Sequence, residues 1–396
     1  MSQTNINKIS FGEDSIELHK KLGGKLEIKS KVSLNTKEDL SLSYSPGVGA
    51  VSIAISEDKN LAKTLTIKKN TVAIISDGSA ILGLGNLGAK AAIPVMEGKA
   101  AILKEFAGVD AFPICIESQD SEEIIQTIKN ISPVFGGINL EDISSPKCFE
   151  IEERLRKELD IPVMHDDQWG AATVALTAMI NSFKLLNKDN SLKEKDISIV
   201  LSGVGAAGVA TARLLIDYGF TNIFLMDSQG LIHKDRNDLN KEKQDLLNKS
   251  TADLENYSVN ENLENVIKNK NVFIGLSKSG LLSKEMVSSM SENPIIFALA
   301  NPNPEIMPDE AKEAGAFIVA TGRSDFPNQI NNSLVFPGFW KGMLAAQLNG
   351  TYQGVDNSVF IKIAEALAYH VKDLNIENIL PNMFDKEVVD LLANMF

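Results

Sequence analysis

Lys99 lies within a run of small and apolar residues, a setting in which an amine can transfer protons. The run is Ala-Ala-Ile-Pro-Val-Met-Glu-Gly-Lys-Ala-Ala-Ile-Leu, residues 91–103. Desolvation disfavours the charged ammonium, so we expect the pKa of Lys99 to be lowered toward that of a general base near neutral pH. Tyr44, on the predicted tight turn 43–47, is a second candidate for proton transfer. An ordinary buried lysine and an ordinary buried tyrosine are the alternative interpretation.

Two acidic pairs each follow a short apolar segment. Glu141 and Asp142 come after one predicted strand, and Asp166 and Asp167 come shortly after the next. Three carboxylates from such pairs suit Mg²⁺ or Mn²⁺ and leave positions for substrate oxygens and water. Surface charge is the alternative explanation. It fits the second pair poorly, because an apolar segment precedes that pair and a strongly apolar predicted helix follows it.

A glycine-rich loop follows the predicted strand 196–202 and opens a predicted helix. The loop has the spacing Gly-x-Gly-x-x-Gly, and its candidate dinucleotide-binding residues are Gly203, Gly205, Ala206, Ala207 and Gly208. Such glycines permit a tight turn and a close approach to a pyrophosphate, which the helix N-terminus attracts. A glycine turn without a cofactor is the alternative.

Asp227 closes the next predicted strand, about 20 residues after the loop, where a carboxylate can accept hydrogen bonds from ribose hydroxyls. A carboxylate at this position repels a 2′-phosphate, and the neighbouring Ser228 carries no compensating charge. The sequence therefore favours NAD over NADP.

The composition is that of a globular enzyme. The 396 residues are 44% hydrophobic, contain 2 cysteines and carry a formal net charge of −13. This charge disfavours nucleic acid and anionic membranes as partners. Residues 1–8 lack the apolar core of a secretory signal, and the few cysteines favour a cytoplasmic location.

Apolar strands that alternate with helical patterns predict an α/β fold. We expect an N-terminal α/β substrate domain over residues 1–160. Residues 161–396 are expected to form a Rossmann-type, doubly wound parallel-sheet NAD-binding domain with C-terminal helices. The alternation of apolar and charged residues from Leu26 to Val32 predicts a half-buried strand.

In combination, these motifs resemble the malic enzyme family in its short bacterial form. The segments that carry the resemblance are Ser43–Val48, Asp77-Gly78, Leu82–Gly88, Pro94–Lys99, His165–Gln168, Asn301-Pro302, Arg323–Asn332 and Phe336–Gly338. The resemblance implies oxidative decarboxylation of malate to pyruvate and CO₂, with NAD as the hydride acceptor.

The resemblance also implies roles for individual residues. Lys99 matches the family's general base, Asp166 the acid that assists it, and Tyr44 its general acid. The implied ligands of Mg²⁺ or Mn²⁺ are Glu141, Asp142 and Asp167. Asn301 and Asn332 match the amides that hold substrate carboxylates near the nicotinamide, together with Tyr44 and Lys99. The family further implies a homodimer or a higher homo-oligomer that acts on small molecules (malate, oxaloacetate and pyruvate).

Some positions depart from the family pattern. Trp169 and Ala171 stand where many members have histidine and threonine. We expect the bulky indole and the missing hydroxyl beside the metal site to alter the shape available to the substrate or the placement of the nicotinamide. Ala80 stands where larger members have a substrate-binding arginine, so Arg323 is a candidate replacement. These departures leave open an oxaloacetate decarboxylase of the same family with weak or no hydride transfer. A non-catalytic NAD-binding regulator is a further alternative, although binding alone requires neither Tyr44 nor Lys99.

Overall fold

The structure, a computed structural model, describes residues 11–82 and 84–396. Two parts of the chain lie outside the described residues. They are residues 1–10, which include the segment without the apolar core of a secretory signal, and Gly83 of the glycine-rich segment 82–88. Across the described residues, no helix combines the length and the apolar character needed to cross a membrane.

The first half of the chain builds a four-stranded parallel sheet. Its strands are Thr71–Ser76 (β1), Asp110–Cys115 (β2), Gly137–Leu140 (β3) and Val163–His165 (β4), in the order β2-β1-β3-β4. Leu140 pairs with His165, so β3 and β4 end side by side. The acidic pairs that follow these two strands are therefore brought to the same edge of the sheet. The domain boundary predicted near residue 160 precedes β4, which is the last strand of this sheet.

A six-stranded sheet follows. Its strands are Ile199–Ser202 (β5), Ile223–Asp227 (β6), Gly230–Leu231 (β7), Val272–Gly275 (β8), Ile295–Ala298 (β9) and Ile318–Thr321 (β10). Their order is β10-β9-β8-β5-β6-β7, and all pairs are parallel except β6 with β7. The strand order reverses at β5, which is where a doubly wound sheet binds ligands. The α/β fold class predicted from the sequence is confirmed.

Helices cover both sheets. In the described residues the α-helices are Gly12–Leu22 (α1), Lys37–Ser43 (α2), Val48–Glu57 (α3), Ala62–Leu65 (α4), Ala89–Ile102 (α5), Ser121–Ile131 (α6), Lys147–Glu158 (α7), Asp166–Leu186 (α8), Ala206–Tyr218 (α9), Lys241–Lys249 (α10), Leu263–Val266 (α11), Lys284–Ser288 (α12), Pro308–Glu313 (α13), Phe336–Asn349 (α14), Asn357–His370 (α15) and Lys386–Ala393 (α16).

The long helix α8 joins the two sheets through one shared core. Its residues from Gln168 to Phe183 are buried apart from Ala171, and it packs against α9 and α15. Asn181 in α8 donates hydrogen bonds to the carbonyl oxygens of Ala368 and Ile379 at 3.1 and 2.9 Å. Trp340 of α14 donates to Asn139 of β3 at 3.0 Å, which ties a C-terminal helix to the first sheet. The two sheets are therefore held in one relative arrangement.

The strand predicted over residues 26–32 is wrong. This segment has no regular secondary structure, and the side chain of Ile28 is 88% exposed. Alternation creates a strand only where a neighbouring strand supplies hydrogen bonds, and no described strand pairs with this segment. Instead, a groove of about 1040 Å³ separates it from the edge strand β2. Helices α2 and α3 likewise bury none of their side chains.

Candidate active site

Lys99 is placed by α5 at the point where three elements meet. Its side chain is only 7% exposed, and its Nζ forms ion pairs with Glu141 after β3 and with Asp166 at the start of α8. The ring of Phe336 lies 4.6 Å from the same Nζ, measured to the ring centroid. The sequence analysis quoted Phe336 within a motif but assigned it no role.

The predicted lowering of the Lys99 pKa is wrong in this arrangement. Burial by itself lowers the pKa of Lys99, but the charges of Asp166 and Glu141 outweigh it and raise the pKa above its usual value. The sequence predicts burial from the apolar neighbours of Lys99. The two carboxylates come from elements far along the chain, so their effect on the lysine follows only from the tertiary structure.

The acidic residues form one cluster around Lys99. The backbone N–H of Asp142 donates to Asp167 Oδ2 at 2.7 Å, which links the ends of β3 and β4. Asp142 has a φ of 53°, a left-handed conformation that is uncommon for a residue other than glycine. Burial and the nearby charge of Asp167 raise the pKa of Asp142 to about 7. Burial likewise raises the pKa of Glu141 well above its usual value.

The cluster fits a divalent cation chemically. Asp142 Oδ2 and Asp166 Oδ1 are buried, and neither has a hydrogen-bond partner among the described residues. Buried carboxylate oxygens without partners are costly, and a hard cation such as Mg²⁺ or Mn²⁺ satisfies them. In the described structure, the oxygens of Glu141, Asp142 and Asp167 do not all lie within 4.8 Å of one another. The carboxylate of Glu141 is paired with the ammonium of Lys99.

The two predicted substrate-binding amides differ in their positions. Asn332 lies in the Lys99 cluster, because its Nδ2 donates to Asp166 Oδ2 at 2.8 Å. Asn301 is exposed after β9, and its side-chain amide lies close to Gly322. Asn301 makes no hydrogen bond to the Lys99 cluster in the described structure. It lies at the carboxyl edge of the second sheet, where the dinucleotide loop also lies.

Tyr44 is not brought to Lys99 within the subunit. It follows α2, its side chain is 69% exposed, and its backbone bonds only to neighbours in the same segment, Leu40 and Val48. The predicted general acid and the predicted general base are therefore apart in one protomer.

The glycine-rich loop has the geometry expected of a dinucleotide site. Gly203 has a φ of 105°, which favours glycine, and a Cβ at Gly208 would overlap the carbonyl oxygen of Gly203. A Cβ at Gly205 would meet nothing within 4 Å, so the loop is open where Ala206 begins α9. This open cradle at a helix N-terminus fits a pyrophosphate.

The surroundings of Asp227 differ from the prediction. The sequence analysis found no compensating cation beside it, but Arg236 donates to both oxygens of Asp227, at 2.9 and 3.0 Å. Lys243 donates to Asp227 Oδ2 at 2.6 Å. Both cations lie well downstream in the sequence, so only the fold brings them to this carboxylate.

The indole of Trp169 makes its contacts outside the Lys99 cluster, and its effect on substrate shape or nicotinamide placement stays a prediction. The indole is 4% exposed, donates to the Glu152 carboxylate at 2.9 Å and stacks on Phe360 at a centroid distance of 5.0 Å. Arg323, the candidate anion contact, is paired with Asp325 at 2.6 Å. A contact of Arg323 with an anionic substrate stays a prediction.

The sequence matches the N-terminal domain of malic enzyme over residues 23–156 and its NAD-binding domain over residues 169–391. A bifunctional malic/malolactic enzyme of Bacillus subtilis is 48% identical, over 97% of this chain and 92% of its own length. An NAD-dependent malic enzyme of Geobacillus stearothermophilus is 48% identical, over 93% of this chain and 75% of its own. The structure of the NAD-dependent malic enzyme of Thermotoga maritima has a TM-score of 0.89 at 42% identity, over 96% of this chain and 97% of that one. Since sequence and fold agree across both domains, this chain belongs to the malic enzyme family.

Proposed function

We propose that this chain oxidatively decarboxylates malate to pyruvate and CO₂ with reduction of NAD⁺, using the cluster around Lys99. The observation that carries the proposal is the joining of Lys99, Asp166 and Asn332 in one hydrogen-bonded group beside the acidic pairs. A buried amine, a carboxylate that orients it and an amide that can bind a carboxylate are the groups this reaction needs.

Lys99 is the general base that takes the proton from the C2 hydroxyl of malate. Asp166 Oδ2 holds its ammonium form by an ion pair, and the same oxygen accepts a hydrogen bond from Asn332 Nδ2. Lys99 also pairs with Glu141, so metal binding and the protonation of Lys99 are coupled. When Glu141 holds a cation, the charge of that carboxylate beside Lys99 is cancelled, so the ammonium can release a proton to water. The neutral amine can then accept the proton of the C2 hydroxyl.

The residues that hold the divalent cation are Glu141, Asp142 and Asp167. Mg²⁺ or Mn²⁺ bound there supplies Lewis acidity to the oxygens of the substrate. The partnerless Asp142 Oδ2 supports this assignment. Because Gly170 has no Cβ, there is room beside it for Asp166 Oδ1. A Cβ at residue 170 would overlap that oxygen.

The dinucleotide is held by Gly203, Gly205, Ala206, Ala207 and Gly208 at the N-terminus of α9, with Asp227 and Asn301 at the carboxyl ends of neighbouring strands. NAD⁺ bound there supplies the hydride acceptor. The conformation of Gly203 and the open cradle at Gly205 support this part of the proposal.

Tyr44 is the general acid that protonates C3 after CO₂ has left, and the partner subunit of a homodimer supplies it. Tyr44 is exposed and apart from Lys99 in its own subunit. The flanking helices α2 and α3 expose a row of apolar side chains, namely Leu40, Leu42, Val48, Val51 and Ile53. Several exposed large apolar side chains on neighbouring helices are typical of a protein–protein interface. The two free cysteines favour a cytoplasmic location.

The test compares NADH formation from malate with pyruvate formation from oxaloacetate, each with Mg²⁺, with Mn²⁺ and with a chelator. We expect metal-dependent NADH formation together with pyruvate. Pyruvate from oxaloacetate without NADH from malate would favour the decarboxylase instead. The hydrogen bond of the Trp169 indole to Glu152 gives no support to that alternative.

A further inference from the structure

Four charged side chains form a cluster where β6 ends. Arg236 donates to both oxygens of Asp227 and also to Asp238, at 2.9 Å from Nε and 2.6 Å from Nη2. Lys243, in the first turn of α10, donates to Asp227 Oδ2 at 2.6 Å. The backbone N–H of Gln229 donates to Asp227 Oδ1 at 3.0 Å. Each oxygen of Asp227 therefore already accepts two hydrogen bonds.

These bonds fill the acceptor capacity of Asp227, because an ionised carboxylate offers about four lone-pair directions. Burial by itself raises the pKa of Asp227, but Arg236 and Lys243 outweigh it and lower the pKa, which keeps the group ionised. A ribose hydroxyl can bind this carboxylate only when one of the present donors moves away.

Lys243 is the donor best able to move. The guanidinium of Arg236 is fixed between two carboxylates, and its side chain is 2% exposed. The side chain of Lys243 is 19% exposed, and its ion pair in the described structure is with Asp227 alone. An ammonium on a flexible four-carbon chain can turn toward another anion at little cost.

The charges of the cluster balance. Asp227 and Asp238 are opposed by Arg236 and Lys243, which lie 9 and 16 residues after Asp227. A lone carboxylate excludes a 2′-phosphate by repulsion, but a neutral cluster with a movable cation does not. The repulsion that favoured NAD over NADP in the sequence analysis is therefore weakened in the folded protein.

We propose that Lys243 determines cofactor specificity and admits NADP⁺ to the dinucleotide site alongside NAD⁺, by leaving Asp227 and binding the 2′-phosphate. Arg236 still pairs with Asp227 after Lys243 has left. With NAD⁺, the position that Lys243 vacates on Asp227 accepts a ribose hydroxyl. The inference rests on the dinucleotide site proposed above, and its test is independent of turnover.

Calorimetric titrations with ADP-ribose and with 2′-phospho-ADP-ribose measure the effect directly, without metal or malate. We expect the unmodified protein to bind both ligands, with Kd values within about 100-fold of each other. Lys243→Gln is expected to weaken binding of the phosphorylated ligand about tenfold or more, because it removes a charged hydrogen bond. It should change the Kd of ADP-ribose less than about threefold. Lys243→Arg should preserve both affinities.

Lys249→Gln is the matched control. Lys249 ends the same helix and pairs with Asp217 at 3.6 Å, so its loss should leave both affinities unchanged. Binding of ADP-ribose alone by the unmodified protein would overturn the proposal and leave the NAD site intact. An equal loss of both ligands in Lys243→Gln would also overturn it, since Lys243 would then only position Asp227. Binding of neither ligand would refute the dinucleotide site as well.

Discussion

Lys99 owes its environment to residues outside its own helix. The apolar face of α5 removes the lysine from water, and the carboxylates of Glu141 and Asp166 then hold it as an ammonium. A buried ion pair of this kind is costly to break by removing one partner, because the other charge is left unpaired. Lys99 is therefore both a proposed base and the counter-ion of two proposed site residues.

Replacing Lys99 should separate catalysis from metal binding. We expect Lys99→Ala to lower kcat about 100-fold or more, the usual contribution of a general base. Mn²⁺ affinity should not fall, because the substitution frees Glu141 for the metal. Steady-state rates and Mn²⁺ titrations would measure both effects. Lys104→Ala, which removes a half-exposed lysine paired with Asp110, is the control. Parallel losses of turnover and metal affinity would argue against the base assignment.

Asp142 makes metal affinity depend on pH. Its pKa is about 7, so the group is protonated below that pH and a metal ion must displace the proton. Mn²⁺ affinity should therefore fall by up to about tenfold for each pH unit on the acidic side, and should level off on the alkaline side. Mn²⁺ binding measured by electron paramagnetic resonance across the acidic and neutral range checks this. Asp142→Asn should bind more weakly with a flatter pH dependence, whereas stronger binding at acidic pH would contradict the prediction.

At the scale of elements, Glu152 connects α7 to the start of α8. Its carboxylate accepts hydrogen bonds from the backbone N–H of His165 at 2.8 Å and from Gln168 at 3.0 Å, as well as from Trp169. Arg156 also pairs with it at 2.7 Å. This network holds the turn from β4 into α8, and that turn carries the second acidic pair. The local sequence predicts that Glu152 is a surface charge like the glutamates beside it, and this prediction is wrong because its side chain is buried.

Trp169→Phe tests whether the indole is structural. The change keeps an aromatic ring against Phe360 but removes the hydrogen bond to Glu152. We expect the free energy of unfolding to fall by about 1–2 kcal/mol. The ratio of malate oxidation to oxaloacetate decarboxylation should stay unchanged. Denaturant unfolding and the two assays would measure these quantities. A shifted ratio at unchanged stability would mean that the indole acts on the substrate after all.

At the scale of the whole molecule, one proposed dimer interface accounts for two features. These are the exposed apolar side chains of α2 and α3 and the exposed Tyr44 between these helices. One subunit leaves both features unpartnered in the described structure. A symmetric dimer covers the same patch on both subunits and carries each Tyr44 toward the other subunit. In this arrangement a subunit alone lacks its general acid.

Mixing two inactive variants tests this arrangement. Tyr44→Phe and Lys99→Ala should each be nearly inactive alone. A mixed dimer contains one site with both native groups, so equal mixing after dissociation should restore about a quarter of the native activity. Activity that stays at the level of the separate variants would place Tyr44 and Lys99 in the same subunit. Sedimentation at each concentration shows that dimers have formed in the mixture.

The sequence by itself determined the fold class and the position of the dinucleotide loop. Both follow from local residue patterns and from the geometry of parallel strands. Apolar runs between helical patterns predicted the α/β class, and the strand before Gly203 placed the dinucleotide loop. Because Glu141 and Asp166 follow adjacent strands, their approach could be expected once the strands were recognised. The site residues implied by family resemblance lie at the ends of strands, apart from Tyr44, Lys99 and Asn332.

Only the tertiary structure decided which charges and surfaces face one another. Three features depend on partners distant in sequence. These are the raised pKa of Lys99, the pairing of Asp227 with Arg236 and Lys243, and the hydrogen bond of the buried Trp169 indole to Glu152. The exposed segment 26–32 is a further example. Its alternation of apolar and charged residues suits a strand, but a strand also needs a neighbouring strand to pair with. Electrostatic energies vary with distances between side chains from different elements, and local sequence patterns do not contain those distances.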